Sequence, residues 1–259
     1  MKFGIAHLSV VPCRTEPSDR SEQSTQLLFG ELLQVYEKKD SWFRIKVLND
    51  RYECWIDENQ FTFISQKEFE QLKNSTSYIV NDLAEVLSNS KRTDLMTILI
   101  GSALPHLKDG WIRIGEKKWK YEGSYEPFRQ NLDKNRLAEN AMLFLNAPYQ
   151  WGGRSPFGID CSGFVQLIYK LNGFLLPRDA SEQAKVGQTL SFIEEAEVGD
   201  LAFFDNQEGS ITHVGIMLSN NRIIHASGQV RIDKIDHQGI FKVEKNNYSH
   251  QLRLITKIF

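Results

Sequence analysis

Hydrophobic and polar residues alternate in two different ways along this chain, and the change occurs near residue 130. Before that point, short alternating stretches are separated by turn residues, a pattern typical of small β-barrels. After it, two stretches carry apolar residues at helical spacing, and several strand-like stretches follow them. Helices followed by consecutive strands predict an α+β domain with an antiparallel sheet at residues 129–259.

An internal repeat divides the first part of the chain. Gly30 and Gly101 each follow an apolar run and lie 71 positions apart. Trp42 and Trp111 lie 69 positions apart, and each begins a Trp-x-Arg-Ile strand that follows a polar turn. This repeated order predicts one module used twice. We therefore expect two small β-barrels and a linker helix between them, at residues 1–64, 77–128 and 65–76 respectively.

Two helices and four strands are predicted in the second part. The first helix covers residues 136–146 and is ended by Pro148. The second begins near Cys161 and stops at Gly173, because the residues after Cys161 place apolar side chains at helical spacing: Phe164, Val165, Ile168, Tyr169 and Leu171. The strands are predicted at residues 200–204, 212–218, 222–226 and 251–258.

Composition narrows the class of protein. The chain has 259 residues, of which 41% are hydrophobic, enough for cores in two or three domains. Its 31 basic and 33 acidic residues give a net charge of −2, so the balance indicates neither a nucleic-acid partner nor an anionic membrane surface. No apolar run approaches the roughly 20 residues of a membrane span. Residues 1–7 lack the apolar core of a signal peptide, so we expect a cytoplasmic protein, acting as a monomer.

Three cysteines are present, and one of them is placed for chemistry. An odd count of Cys13, Cys54 and Cys161 is no disulfide framework, and no pair has the spacing of metal ligands. We expect Cys13 and Cys54 to be small buried hydrophobes. Cys161 falls in the first turn of a predicted helix, where unpaired N–H groups and the helix dipole favour an anion. That position lowers a thiol pKa and predicts an ionised nucleophile, which indicates a cysteine hydrolase.

A cysteine nucleophile needs a base, and the base needs an orienting partner. His213 and His225 lie on adjacent predicted strands, whereas the other four histidines have no partner pattern and are expected at the surface. With a two-residue Asn220–Asn221 turn, the two histidines would point to opposite faces. With a three-residue loop from Ser219, they share a face at a diagonal spacing of about 7–8 Å, and Asn221 takes the left-handed conformation. The catalytic interpretation therefore requires the odd-length loop.

The second part of the chain, after residue 130, resembles the NlpC-type cell-wall cysteine peptidases. The motifs are Asp-Cys-Ser-Gly-Phe at 160–164, His-Val-Gly-Ile at 213–216, His225 twelve residues after His213, Tyr-x-Trp-Gly-Gly at 149–153, Pro-Arg-Asp-Ala-Ser-Glu-Gln at 177–183 and Val-Gly-Asp-Leu at 198–201. The resemblance covers about residues 131–259. It implies a papain-like α+β fold in which Cys161 attacks an amide, His213 is the base and His225 orients it, with no metal or other cofactor.

The two modules ahead of this region resemble bacterial SH3-like domains. Their combination with the peptidase is similar to the cytoplasmic γ-D-glutamyl-L-diamino acid endopeptidases, which recycle murein tripeptides and tetrapeptides with a free N-terminal L-Ala. The resemblance implies that Glu53, from the first module, and Asp160 bind the substrate ammonium. The other candidate substrate-binding residues are Tyr149, Trp151, Ser162, Asp179 and Ser181.

A carboxylate beside Cys161 opposes thiolate formation, so the presence of Asp160 has to be explained by another role. Two roles are open: Asp160 caps the helix, or it binds a substrate ammonium. Three other functions remain open at this point. They are a secreted endopeptidase that acts on intact wall, a non-catalytic muropeptide-binding module, and a metal site formed by Cys161, His213 and His225, for which a local ligand pair is lacking.

Overall fold

The computed structural model describes residues 2–259, so Met1 of the predicted first module lies outside the described residues. The chain forms two compact units. Unit 1 comprises residues 1–129 and 151–156, and unit 2 comprises residues 130–150 and 157–259. Within residues 2–259, no helix combines the length and the apolar character needed to cross a membrane.

Unit 1 begins with a seven-stranded antiparallel sheet in the order β3-β2-β6-β5-β4-β1-β7. Alternation explains its buried face: in β5, Phe43, Ile45 and Val47 are buried, whereas Arg44 between them is exposed. The buried face joins a cluster that includes Cys13 and Cys54, which confirms the expectation of small buried thiols. The strands are β1 Lys2–Ala6, β2 Val10–Arg14, β3 Gln23–Leu28, β4 Leu32–Lys39, β5 Trp42–Val47, β6 Glu53–Asp57 and β7 Phe61–Ile64.

A short helix and two small sheets complete unit 1. Helix α1 (Gln66–Asn74) lies where the linker helix was predicted, and the Ser65 side chain caps it by accepting the N–H of Glu68. The strands that follow form a four-stranded sheet, β10-β9-β12-β11, and a pair, β13-β8. They are β8 Tyr78–Val80, β9 Ala84–Ser88, β10 Leu95–Leu99, β11 Trp111–Ile114, β12 Lys117–Lys120 and β13 Tyr125–Pro127; β14 (Arg154–Ser155) also belongs to unit 1.

The predicted repeat is visible in one turn. Gly30 and Gly101 both have left-handed backbones, with φ of 80° and 82°. The residue after each glycine donates its N–H to the carbonyl three residues back, Glu31 to Leu28 and Ser102 to Leu99. The strand order differs between the two regions, and they share one hydrophobic cluster that runs from Phe3 and Phe29 to Ile98 and Leu104. The two regions thus share part of their core, and the division into two separate SH3-like modules stays a prediction.

Unit 2 packs helices beside a closed barrel. Strands β17 to β22 pair in succession, and β22 also pairs with β17, which closes a ring of six antiparallel strands. The confirmed fold class is thus α+β with antiparallel sheets. The elements are α2 Lys134–Met142, β15 Gly158–Ile159, α3 Cys161–Leu171, α4 Ala180–Gln183, β16 Gln188–Thr189, β17 Leu201–Asp205, β18 Ile211–Leu218, β19 Arg222–Ser227, β20 Gln229–Asp236, β21 Gly239–Lys242 and β22 Asn247–Lys257.

Helix α2 is shorter than predicted. It ends at Met142, not near Asn146, and Asn146 has a left-handed backbone with φ of 69°. Leu143 and Leu145 extended the apolar pattern in the sequence, yet both are exposed. Leu137, Ala141 and Phe144 are the residues that pack. Pro148 therefore follows a turn and does not itself end the helix.

Candidate active site

Cys161 is the first residue of α3, as the spacing predicts. Asp160 is the N-cap, and its Oδ1 accepts the N–H of Gly163 at 2.7 Å. The expectation of an ionised thiol is wrong for the resting structure, because Cys161 is only 6% exposed and burial raises the pKa of its thiol to about 11. The charge of Asp160 adds to this rise in pKa, while N–H groups of Val214 and Ser162 oppose it. The stabilisation from the helix end is thus smaller than the cost of desolvation.

The two predicted histidines share one face of a hairpin. Strands β18 and β19 pair Leu218 with Arg222, so the loop between them has three residues, Ser219 to Asn221. Asn220 and Asn221 both have left-handed backbones, with φ of 60° and 53°. This is the odd-length loop that the catalytic interpretation requires. His213 Nε2 lies 2.7 Å from His225 Nδ1.

His213 is a buried, uncharged base at rest. Burial lowers its pKa well below the usual value, and the nearby His225, His250 and Lys242 lower it further. Because His225 occupies Nε2, the nitrogen that is left for the nucleophile is Nδ1. Val214, next to His213 in β18, directs its N–H at the Cys161 thiol. Within residues 2–259 no direct hydrogen bond joins the thiol to the His213 ring.

The sequence did not reveal a carboxylate behind the histidines. His225 Nε2 lies 2.9 Å from Asp233 Oδ2 on β20. Arg231 donates from Nη2 to Asp233 Oδ1 at 2.7 Å, and Glu244 pairs with the same guanidinium. Hydrogen bonds from His225 and Arg231 lower the pKa of Asp233 to about 2 against the opposing effect of burial. Applying the alternation test to the next hairpin, where His225 pairs with Arg231, would have placed Asp233 on the face of His225.

His250 was expected at the surface, and the structure corrects this. Its ring stacks on that of His213, with centroids 4.2 Å apart and planes 23° apart. Burial lowers the pKa of His250 to about 4, so the ring is neutral where it touches His213. The reason for the error is that β22 begins at Asn247, four residues before the predicted strand. That extension carries His250 into the barrel wall beside β17, where it also contacts Phe204.

Asp160 already has a cationic partner. Arg178 Nη2 donates to its Oδ2 at 2.5 Å and Nη1 donates to its Oδ1 at 3.1 Å. The same Nη1 donates to Ser162 Oγ at 2.8 Å. All three residues are buried. The predicted substrate contacts of Asp160 and Ser162 therefore compete with bonds inside the protein, and the capping role of Asp160 is the one that is visible.

The remaining candidates of unit 2 lie near or beyond this network. Tyr149 is half-buried, and burial together with the charges of Cys161 and Asp160 raises the pKa of its phenol to about 12. The phenol is thus a neutral donor close to the nucleophile. Asp179 and Ser181 are exposed at the start of α4, directly after Arg178 in the chain.

Two candidates belong to unit 1. Glu53 is exposed on β6 and pairs with Lys46 at 2.8 Å and with Arg44 at 3.0 Å, so two cations of its own sheet already neutralise it. Trp151 is 62% exposed, and its Nε1 donates to Glu22 at 2.6 Å. Neither contact excludes a substrate, and the binding roles of both residues stay predictions.

The assembled groups suit acyl transfer. A thiol at a helix start, a neutral imidazole held by a second imidazole and a carboxylate, and backbone N–H groups aimed at the sulfur are the parts of a nucleophilic site. Among residues 2–259, no group of three or more His, Cys, Asp or Glu side chains is arranged to hold a metal ion.

Comparison with known families agrees with this chemistry. Residues 146–246 match the NlpC/P60 family, and residues 13–61 match the bacterial dipeptidyl-peptidase Sh3 domain. The first match contains Cys161, His213, His225 and Asp233. The second lies within the first sheet of unit 1, and the identity of the second region of that unit as an SH3-like domain stays a prediction.

Three curated relatives show how the similarity is distributed. The chain is 29% identical to the γ-D-glutamyl-L-lysine dipeptidyl-peptidase of Bacillus cereus over 81% of its own length and 68% of that protein. It is 26% identical to dipeptidyl-peptidase 6 of Lysinibacillus sphaericus over 86% of this chain and 88% of that one. The bifunctional muramidase/DL-endopeptidase CwlT of Bacillus subtilis is 34% identical, but over only 49% of this chain and 42% of that protein.

Solved structures support the fold. The crystal structure of an NlpC/P60 family protein from Bacillus cereus superposes with a TM-score of 0.82 over 99% of both chains, at 22% identity. An NlpC/P60 endopeptidase from Photobacterium damselae gives a TM-score of 0.74 over 97% of this chain and 70% of that one, at 15% identity. At these identities, the likeness establishes the architecture and leaves the substrate to be argued from the site.

Proposed function

We propose that this chain, a cysteine peptidase that carries an NlpC/P60 domain behind a bacterial dipeptidyl-peptidase SH3 domain, hydrolyses the γ-D-glutamyl-L-diamino acid bond of murein peptides with a free N-terminal L-Ala. One observation carries the proposal. Similarity to the two dipeptidyl-peptidases extends through both units, over 81% and 86% of the chain, whereas similarity to the muramidase/DL-endopeptidase CwlT covers 49%.

In the proposed mechanism, Cys161 attacks the γ-glutamyl carbonyl. Because thiol and imidazole are both neutral at rest, the Cys161 proton passes to His213 Nδ1 as the sulfur attacks. In this proposal the N–H of Cys161, in the first turn of α3, and the neutral phenol of Tyr149 stabilise the oxyanion. The His213 imidazolium then protonates the departing amine of the diamino acid. The neutral His213 then takes a proton from the water that attacks the thioester, and it returns that proton to the Cys161 sulfur as the C–S bond breaks and the γ-glutamyl acid leaves.

Recognition of the free amine is the step that distinguishes this substrate. We assigned the ammonium to Asp160 and Glu53, and both already contact basic side chains of the protein. Asp160 is buried against Arg178, whereas Asp179 is an exposed carboxylate next to Arg178 in the chain. Substituting each acid by its amide, and comparing KM for free and N-acetylated peptides, identifies the one that binds the ammonium. The acid responsible raises KM for the free peptide alone.

The decisive experiment compares two peptides. L-Ala-γ-D-Glu-meso-diaminopimelate and its N-acetylated form are incubated with the protein, and with Cys161→Ala as the inactive control. Release of the diamino acid from the free peptide alone supports the proposal. Equal cleavage of both would contradict it, and cleavage of neither would indicate a binding protein. Replacing diaminopimelate with L-lysine then shows which diamino acid is preferred.

We also propose that the protein is a monomer and that it recycles murein peptides in the cytoplasm. A free L-Ala amine exists only after the peptide has been released from the glycan, so an amide-cleaving enzyme has to act first. Subcellular fractionation of the producing cell, together with light scattering of the purified protein, tests location and oligomeric state. Recovery in the culture medium would contradict the recycling role.

The second candidate function is a wall endopeptidase. The higher identity to CwlT, 34% within the peptidase region, favours it. It predicts that purified cell wall is solubilised and that acetylation of the peptide has no effect. The peptide pair above therefore separates the two functions in one assay.

A further inference from the structure

A linear chain of buried polar side chains runs behind the nucleophile. His213 Nε2 contacts His225 Nδ1 at 2.7 Å, and His225 Nε2 contacts Asp233 Oδ2 at 2.9 Å. His225 is 0% exposed, and His213 and Asp233 are 6% and 7% exposed. Since water is excluded from these contacts, each bond in the chain needs one donor and one acceptor from the protein itself.

The direction of these bonds is set at the Asp233 end. Arg231 lies against both oxygens of Asp233, with Nη2 donating to Oδ1 at 2.7 Å and Nε lying 2.7 Å from Oδ2. A carboxylate so paired is ionised and only accepts hydrogen bonds. His225 Nε2 must therefore carry a proton. In a neutral ring this leaves Nδ1 of His225 without one, so it accepts from Nε2–H of His213.

We propose that Asp233 is a positioning residue that fixes the tautomers of both histidines, so that His213 presents an unprotonated Nδ1 to Cys161. His213 Nδ1 then takes the thiol proton and becomes an imidazolium, while the sulfur becomes the attacking thiolate. The new positive charge faces the Asp233 carboxylate through the neutral His225. This deepens the assignment of His213 as base and does not depend on which peptide is cleaved.

The other charged and titratable groups around the rings do not replace this role. Lys242 repels the positive charge that forms on His213, and His250, stacked on that ring, is itself neutral. Glu244 contacts Arg231, so it acts on the histidines only through Asp233. Asp233 is therefore the acceptor in contact with the His225–His213 pair that can set its direction.

The first test measures the tautomers directly in the unmodified protein. Uniform ¹⁵N labelling of histidine and two-bond ¹H–¹⁵N correlation spectra distinguish protonated from unprotonated ring nitrogens. Signals are assigned by their loss in His213→Gln and His225→Asn. We expect the Nε2–H form for both rings at pH 7.5. An Nδ1–H form of either ring overturns the proposal, and this result needs no Asp233 variant to fold.

The second test removes the Asp233 carboxylate and nearly preserves the volume of the side chain. In Asp233→Asn, an amide N–H₂ replaces one acceptor, and whichever way it turns, a donor then faces Arg231 or His225. By analogy with the aspartate of a catalytic triad, we expect kcat/KM to fall between about 10²- and 10⁴-fold, with the Nδ1–H form of His225 appearing. Asp236→Asn, on the same strand but outside the chain of bonds, is the matched control. In this variant we expect wild-type kcat/KM and the Nε2–H form of His225.

Alkylation of Cys161 by iodoacetamide, followed by peptide mass spectrometry, provides a readout without any murein peptide. Slower alkylation in Asp233→Asn, with wild-type rates in Asp236→Asn, supports the proposal even when no peptide is cleaved. Asp233→Glu keeps an acceptor and is expected to recover part of the rate. A loss of rate with unchanged tautomers would assign Asp233 a packing role and overturn the proposal, as would unchanged rate and tautomers.

Discussion

Each unit of this protein contains a buried arginine–carboxylate pair of the same design. In unit 1, Arg154 donates from Nη1 and Nη2 to the two oxygens of Glu31 at 3.0 and 3.1 Å. In unit 2, Arg178 grips Asp160 in the same two-pronged way. Both pairs are fully enclosed, and both include a residue close in sequence to Cys161. Their carboxylates, however, hold different things.

Glu31 holds backbone, whereas Asp160 holds the start of the nucleophile helix. Glu31 Oε2 accepts the N–H of Leu28, and Arg154 also donates to the carbonyl of Gln26, so this pair ties a loop to a strand. Asp160 accepts the N–H of Gly163, two residues after Cys161 in the first turn of α3. The same ion pair is thus structural in one unit and adjacent to the chemistry in the other. The role is set by the third group that each carboxylate binds.

The largest expected effect comes from Asp160→Ala. It removes the helix cap and leaves the Arg178 guanidinium buried without its carboxylate, so the free energy of unfolding should fall by about 3–5 kcal/mol. Turnover per folded molecule should also fall by at least about tenfold, since the first turn of α3 loses its anchor. Urea titration and active-site-normalised kinetics measure both. Wild-type turnover in the folded fraction would show that the pair is structural in unit 2 as well.

Glu31→Gln should separate stability from turnover. It leaves Arg154 buried without a charged partner, so we expect a loss of about 3 kcal/mol in unfolding free energy. Because neither residue touches Cys161 or His213, turnover per folded molecule at low temperature should stay within about twofold. Hydrogen exchange should show the loss of protection in residues 2–129. A tenfold fall in turnover with the fold intact would remove the contrast between the two pairs.

Acid should destabilise unit 2 before unit 1. Burial lowers the pKa values of His213, His225 and His250 in the folded unit 2, that of His250 to about 4, and in unit 1 burial lowers the pKa of His7. Below pH 6.5 these histidines bind protons in the unfolded chain but not in the folded unit 2. Their contribution to the stability of unit 2 is therefore present above pH 6.5 and is lost as the pH falls toward 4. Hydrogen exchange at pH 7 and pH 5 measures this. Equal loss of protection in both units would contradict it.

The smallest effect is expected from Ser162→Ala. Its hydroxyl accepts from Arg178 at 2.8 Å, and removing it leaves the two-pronged pair with Asp160 in place. We expect a loss of about 1 kcal/mol in unfolding free energy and a modest rise in KM if the hydroxyl also meets substrate. Gln26→Ala, which removes the side-chain acceptor of the Arg154 N–H in unit 1, is the matched control. A rise in KM in Ser162→Ala but not in Gln26→Ala would show that the surroundings of the Arg178–Asp160 pair affect substrate binding, whereas those of the Arg154–Glu31 pair do not.

Features set by neighbouring residues were predictable from sequence. The start of α3 at Cys161 follows from a capping residue and helical spacing, and the shared face of His213 and His225 follows from the parity of one loop. Both depend on interactions within a turn or a hairpin. The same local reasoning placed the end of α2 too far along the chain, because the burial of Leu143 and Leu145 depends on distant packing.

Features set by distant contacts were not predictable. The stacking of His250 on His213 joins β22 and β18, which come together only because both pair with β17 in the observed strand order. The partner of Asp160, Arg178, comes from the segment before α4. The protonation state of Cys161 was predicted with the wrong sign, because a helix end is visible in sequence whereas the degree of burial is not.

The path of the chain between the two units has a consequence for modular exchange. Residues 151–156 belong to unit 1 although the residues on both sides of them belong to unit 2, so the chain changes from one unit to the other three times. A peptidase region cut out at residue 130 and fused to a foreign partner would carry an arginine whose matching glutamate stays behind. Successful transplantation of this peptidase therefore requires moving the first hundred and thirty residues with it, or replacing Arg154 by a neutral side chain.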